Sequence, residues 1–319
     1  MRYLFSMDQR NLKNFKDAGA KILEYLYNHL GFSLWMITRK EGDDWIILQV
    51  NDHGYGIKPG QVFKWSDSYC SQMILDRTPS ISPDAQDIPL YVNAGINNIA
   101  DIRAYIGKPL LNKDGSLFGT LCAIDPSPQP QTIENSADLL ELFSQLLSQI
   151  LQVDLKLDEN RRISEKLKVE ALTDHLTELF NRRAWDRLLN LEESRCKTYG
   201  HPTTIIMIDL NNLKEINDKY GHAAGDKLIQ KAAQTIKNCV SANDIVARLG
   251  GDEFAILNIE TNLADTEKLS KRIFNALKAV NIEVAIGIAA RDPSKGLKKA
   301  VKEADTKMYE HKMAMKSKK

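Results

Sequence analysis

The sequence predicts an α+β chain in which two mixed helix-and-strand units are separated by a long helix. Three observations predict it. At 319 residues the chain is longer than one ordinary domain of roughly 100–200 residues. Short apolar runs flank tight turns before residue 125, and single helices and strands alternate after residue 171. Between them, apolar residues recur at alternating steps of four and three.

The elements follow in order. Leu12, Phe15, Ala18, Ile22, Leu26 and Leu30 form the stripe of an amphipathic helix that Gly31 stops. Ser33–Thr38 and Trp45–Val50 read as a hairpin around the charged turn 40–44. Ala104–Leu111 and Leu117–Ile124 read as a second hairpin, closed by Asp114-Gly115. Leu139, Phe143, Leu146, Ile150, Val153 and Leu157 form a heptad seam suited to parallel pairing of two copies. Helices are then expected over Asn181–Leu189, Leu213–Tyr220, Asp226–Val240, Leu263–Val280 and Lys298–Met315. Strands are expected over Thr203–Ile208, Ile245–Leu249, Phe254–Ile259 and Ile282–Ala289, giving one sheet backed by helices.

Composition excludes several classes. Lys and Arg total 43 against 42 Asp and Glu, so net charge is only +1, unlike the strongly basic domain of a nucleic-acid binder. No run approaches the ~18–20 apolar residues of a membrane span. Met1–Phe5 is soon followed by Asp8, Gln9 and Arg10, which is no signal peptide. The four cysteines, Cys70, Cys122, Cys196 and Cys239, form no CxxC pair and read as reduced, buried thiols. A soluble, cytoplasmic protein with no membrane or nucleic-acid partner is expected.

Chemistry concentrates in the second half. Asp209 closes an apolar strand, so it sits at a sheet rim where ligands bind. The loop Leu210-Asn211-Asn212-Leu213 leads into a helix whose N–H groups suit a polyphosphate, and Lys214 adds a charge. The Gly250-Gly251 turn presents Asp252 and Glu253. Three acids brought together repel unless a divalent cation lies between them, and Mg²⁺ held by carboxylates and substrate phosphates is the usual solution.

These residues belong to four ordered motifs. They are Asp174-His175-Leu176-Thr177-Glu178-Leu179-Phe180-Asn181-Arg182-Arg183; Asp209 to Asp226; Arg248-Leu249-Gly250-Gly251-Asp252-Glu253-Phe254; and Ala304-Asp305 to Lys312. Together they resemble the GGDEF family of diguanylate cyclases. The resemblance implies a ferredoxin-like cyclase palm and condensation of two GTP into cyclic di-GMP with release of two pyrophosphates. It implies that Asp209, the Leu210 carbonyl, Asp252 and Glu253 hold Mg²⁺ or Mn²⁺, with Asp252 also the base for the ribose 3′-hydroxyl and Glu253 beside it in the catalytic pair. It places Asn212, Leu213, Lys214, Asn217, His222, Asp226, Lys312 and Lys316 on substrate. A carboxylate at Asp226 can accept both N1–H and N2–H of guanine, which adenine cannot offer.

Four positions depart from the family pattern. Glu178 stands where Gly is usual, Lys316 replaces Arg, and Asn211 replaces an acid. Ser241 occupies the Arg position of the inhibitory RxxD, whose Asp244 is retained, so no inhibitory product site is expected.

In the first half, Trp65–Cys70 and the stretch from Ala104 to Asp125 resemble the GAF family of small-molecule sensors. The resemblance implies an antiparallel sheet with helices and an unnamed small-molecule ligand; Trp35, Trp45 and Trp65 read as packing residues. The expected division is a sensor over residues 1–135, a linker helix over 136–170 that holds a homodimer, and a cyclase over 171–319. A silent GTP-binding regulatory module and a pure sensor-scaffold stand as alternatives.

Overall fold

The computed structural model describes residues 13–168 and 172–316. Leu12, Met1–Arg10, Ala171 and Lys319, which the expectations above include, lie outside them. The chain divides into two compact units, Met1–Asn160 and Arg161–Lys319.

In the first unit, helix α1 (Phe15–Leu30) starts where the Asn14 side chain accepts from the Asp17 N–H and ends at Gly31, whose φ is 71°. Strands β1 (Leu34–Glu41) and β2 (Asp44–Asp52) form the first hairpin; β1 runs on past Thr38 to Glu41, and β2 extends beyond its apolar run at both ends. Edge strand β3 (Val62–Lys64), helix α2 (Tyr69–Ile74), the two-residue β4 (Ile81–Ser82) and helix α3 (Pro89–Val92) fill a stretch that carries no sequence periodicity. Strands β5 (Ala104–Leu111) and β6 (Leu117–Asp125) form the second hairpin, as expected. All neighbours are antiparallel in the order β3-β2-β1-β6-β5-β4.

Helix α4 (Ala137–Lys168) then runs as one piece. Its Leu140, Ser144, Leu147 and Leu151 are buried, and the Asp154 carboxylate accepts the Phe15 N–H at 2.9 Å, capping α1. One face is therefore committed to its own unit. Leu146, Val153 and Leu157 of the heptad seam are exposed, whereas the Phe143 ring lies edge-on to Tyr25 at 5.5 Å; Leu142 is exposed in its place.

The second unit contains α5 (Arg182–Tyr199), β7 (Thr203–Leu210), α6 (Leu213–Tyr220), α7 (His222–Cys239), β8 (Ile245–Gly250), β9 (Glu253–Ile259), α8 (Leu263–Ala279), β10 (Val284–Ala290) and α9 (Leu297–Lys316). The sheet order β10-β7-β9-β8 is antiparallel throughout, the ferredoxin-like palm. Ile205 and Met207 of β7 pack with α5 and α9, and Ile206, Ile208 and Leu210 pack with α7 and α8. Burial on both faces explains why β7 reads as a continuous apolar run rather than an alternation. Helix α9 lies so close to β10 that a Cβ on Gly287 would sit 2.0 Å from the Ala304 carbonyl oxygen, so only glycine fits. Among the described residues, no helix is long and apolar enough to cross a membrane. Cys70, Cys122 and Cys196 are buried, but Cys239 is half-buried, correcting the expectation for that thiol.

Candidate active site

The alternation of β7 that buries Ile205 and Met207 against α9 sends Asp209 to the same face, where α9 carries Lys312. The Lys312 ammonium lies 2.6 Å from one Asp209 oxygen and 2.7 Å from the other. Asp209 is buried; desolvation raises its carboxyl above the ordinary range, and the Asp252 charge adds to the rise while Lys312 opposes it. Across the ladder Asp209 is the register partner of Glu253, and the Leu210 N–H donates to the Asp252 carbonyl at 3.0 Å. The sheet thus brings Asp209, Leu210, Asp252 and Glu253 to one rim.

The hairpin that carries Asp252 is fastened from outside. Arg248 donates to the Gly251 carbonyl at 2.8 and 3.0 Å and reaches Asp174 at 3.1 Å. Arg182 donates to the Leu249 carbonyl at 3.1 Å and lies 3.7 Å from the Glu253 carboxylate. Burial alone would raise the Asp174 carboxyl; the Thr177 hydroxyl and Arg248 outweigh it and hold the group below the usual range. Glu178, in the same turn, adopts φ 59°, the left-handed region that glycine favours.

A cleft with about 760 Å³ of space, open solvent included, joins Leu210, Asn212, Leu213, Lys214, Asp252, Lys312 and Lys316. Asn212, at φ 63°, turns the chain into α6. Asn217 is half-buried on α6, where its Oδ1 has no partner among the described residues; a Cβ on Gly225 of α7 would lie 2.0 Å from that oxygen. The glycine therefore lets α7 close on Asn217, one residue before exposed Asp226 and three after exposed His222. Asn217, His222 and Asp226 do not line the cleft itself.

Sequence reasoning missed Glu283, Glu215 and Met315, which also line the cleft. The Glu283 carbonyl accepts the Asn211 N–H at 2.9 Å, and its carboxylate lies 3.4 Å from the Asn212 amide nitrogen. An acid at the mouth of the last apolar strand was its available signal.

Among the described residues, no three acids or imidazoles are gathered tightly enough to enclose a metal ion. Asp209 holds an ammonium and Glu253 leans toward Arg182. The donor set still fits a hard divalent cation, since carboxylates and a carbonyl are its preferred ligands and a cation already lies against Asp209.

The turn at Ser241–Asp244 is tied to β9 and to α4. Asp244 accepts the Ser241 N–H at 2.8 Å through one oxygen and the Ile259 N–H at 3.3 Å through the other. Its carbonyl, with those of Ala242 and Asn243, receives the Lys166 ammonium at 3.1, 2.9 and 2.6 Å. Beside this contact Arg162 pairs with Glu192 at 3.1 Å and Glu260 at 2.6 Å, while Arg195 pairs with Glu165 and Glu192.

Residues 171–318 match the family described as "Diguanylate cyclase, GGDEF domain", and residues 15–151 match the GAF domain family. Diguanylate cyclase DgcP of Escherichia coli K12 is 31% identical over 221 residues, 66% of this chain and 64% of the relative. Probable diguanylate cyclase DgcC of the same strain is 28% identical over 172 residues, 51% of this chain and 46% of the relative. Cyclic di-GMP phosphodiesterase PdeR, again of that strain, is 32% identical over 161 residues, 47% of this chain and 24% of the relative. The chain therefore spans less than two thirds of each. Among solved structures, diguanylate cyclase SiaD of Pseudomonas aeruginosa, in complex with its activator SiaC, is 23% identical at a TM-score of 0.45, over 57% of this chain and 75% of that one. By these family matches the chain joins a GAF domain, residues 15–151, to a GGDEF domain of the diguanylate cyclase family, residues 171–318.

Proposed function

We propose that the protein condenses two GTP into cyclic di-GMP and two pyrophosphates, under control of its GAF domain. The observation that carries the reading is the cleft where Asp252, Lys312, Lys316 and the Asn212–Lys214 loop converge beside Asp209. Lys214, Lys312 and Lys316 supply positive charge to a triphosphate, and the α6 N-terminus supplies N–H groups. Asp252 accepts the proton of the 3′-hydroxyl that attacks the α-phosphorus of the facing GTP, whose pyrophosphate leaves. Asn217, His222 and Asp226 take the nucleoside, with Asp226 reading guanine. Asp209, Asp252, Glu253 and the Leu210 carbonyl would hold Mg²⁺ or Mn²⁺, which neutralises triphosphate charge when bound.

The product's two-fold symmetry calls for two palms, so the enzyme acts as a homodimer. The exposed seam of Leu146, Val153 and Leu157 on α4 supports that pairing. We divide the chain into a sensor over residues 1–135, a linker over 136–170 and a cyclase over 171–319. Incubating the full chain with GTP and Mg²⁺ and resolving nucleotides by chromatography tests the activity. Cyclic di-GMP from the wild type and a folded Asp252→Ala variant with under 1% of that rate are expected; equal product from both refutes the assignment.

A second reading, a silent GTP-binding module, draws on the Lys312 ammonium seated on Asp209. GTP bound at equilibrium with no product formed would favour it.

A further inference from the structure

The first unit holds a second cavity, lined by the sheet and by the segment between β2 and β5. Its free volume is about 60 Å³, and about 580 Å³ when all space out to the open mouth is counted. Its walls are Leu, Ile, Ala, Met, Phe, Trp, Tyr and Cys, with no charged side chain and no Asn, Gln, Ser or His. A phosphate or carboxylate entering it would lose its water and meet no cation.

Most polar groups of the wall are already satisfied from within. The Tyr55 hydroxyl donates to the Asp101 carbonyl at 2.6 Å, and the Tyr69 hydroxyl to the Asn97 amide oxygen at 2.7 Å. The Tyr105 hydroxyl donates to the Cys70 sulfur at 3.3 Å. Trp45 is the exception. It is 5% exposed, it lines the cavity, and its indole N–H has no partner among the described residues. A buried donor without a partner is rare in a folded protein and marks a place where something else accepts. The rings nearby offer faces and edges: Trp45 and Phe63 lie 6.2 Å apart, and Tyr69 and Tyr105 lie 5.5 Å apart at 77°.

We propose that this cavity binds an uncharged, largely apolar ring compound carrying a hydrogen-bond acceptor, and that Trp45 donates to that acceptor. The proposal deepens the reading of this unit as the controlling sensor and rests on it for the link to turnover. A cyclic nucleotide is the wrong chemistry here, because its phosphate has no counter-charge in the wall.

Calorimetric titration of the full chain tests the class with four probes. These are 1-acetonaphthone (neutral, one carbonyl), naphthalene (no acceptor), 1-naphthoate (charged) and cyclic AMP. Saturable binding of one 1-acetonaphthone per chain is expected, with 1-naphthoate at least tenfold weaker and no heat from cyclic AMP. Trp45→Phe keeps an apolar ring and removes the N–H. It should weaken 1-acetonaphthone about 2- to 12-fold, the span of one net hydrogen bond, and leave naphthalene within about twofold. Ala100→Leu, which fills the cavity, should weaken both neutral probes. Binding of 1-naphthoate or cyclic AMP as tight as 1-acetonaphthone, or no binding of either neutral probe, overturns the proposal. An unchanged 1-acetonaphthone affinity in Trp45→Phe overturns the role of Trp45. Neutral-probe binding that leaves GTP turnover untouched defeats the sensor reading while the ligand class stands.

Discussion

Lys312 shows how one side chain can hold an acidic site together before substrate arrives. Buried Asp209 is costly as a lone charge, and the ammonium on both of its oxygens offsets part of that cost. Replacing Lys312 by Met should therefore lower stability in EDTA by about 1.5–3 kcal/mol, with part recovered on adding Mg²⁺ in thermal melts. No response of the variant to Mg²⁺ would contradict a cation site at Asp209. Glu178 tells a different story. Its departure from the family's usual Gly is costly because the backbone keeps φ at 59°. Glu178→Gly should raise stability by about 0.5–1 kcal/mol, read as a Tm increase of about 1–4 °C, the left-handed strain relieved exceeding the added unfolded-state entropy.

Among elements, the β8–β9 hairpin depends on Arg248, which ties the Gly251 carbonyl to Asp174. The folded Asp174 carboxyl titrates below its unfolded value, so its contribution is fully present above about pH 4 and disappears as pH falls through the lowered value. Asp174→Asn should lose about 1–2 kcal/mol in urea denaturation at pH 7, and the deficit should shrink as pH is lowered below about 4; a deficit independent of pH would exclude this pairing. The palm strands were legible because burial on both faces leaves unbroken apolar runs, and the site motifs were legible because they are local strings. Between β2 and β5 the short elements carry no period, being shaped by the sheet they cover. Glu283, Met315 and Lys166 reach their partners across more than 70 residues of sequence, a distance no local pattern reports. On α4 the seam was legible but its split was not: Phe143 has the right spacing yet packs on Tyr25.

For the molecule as a whole, activity should follow association. Val153→Asp with Leu157→Asp places charges on the exposed seam without touching the buried face of α4. Monomeric sedimentation with turnover reduced at least tenfold is expected; full turnover from a monomer would refute the dimer requirement. Product feedback should be weak, since Ser241 offers no guanidinium and both Asp244 oxygens already accept backbone N–H groups. The Lys166 contact carries a further consequence, for grafting. Residues 161–168 are cemented to the catalytic body by an ammonium on three carbonyls and by the Arg162, Glu165, Glu192 and Arg195 charges. A transplantable cassette of the second unit accordingly begins at Arg161 rather than at Ala171, where the family match starts. A chimera spliced at 171 takes Arg162 from buried Glu192 and Lys166 from the Ser241–Asp244 turn, so its foreign helix loses the contacts by which the native one grips the body.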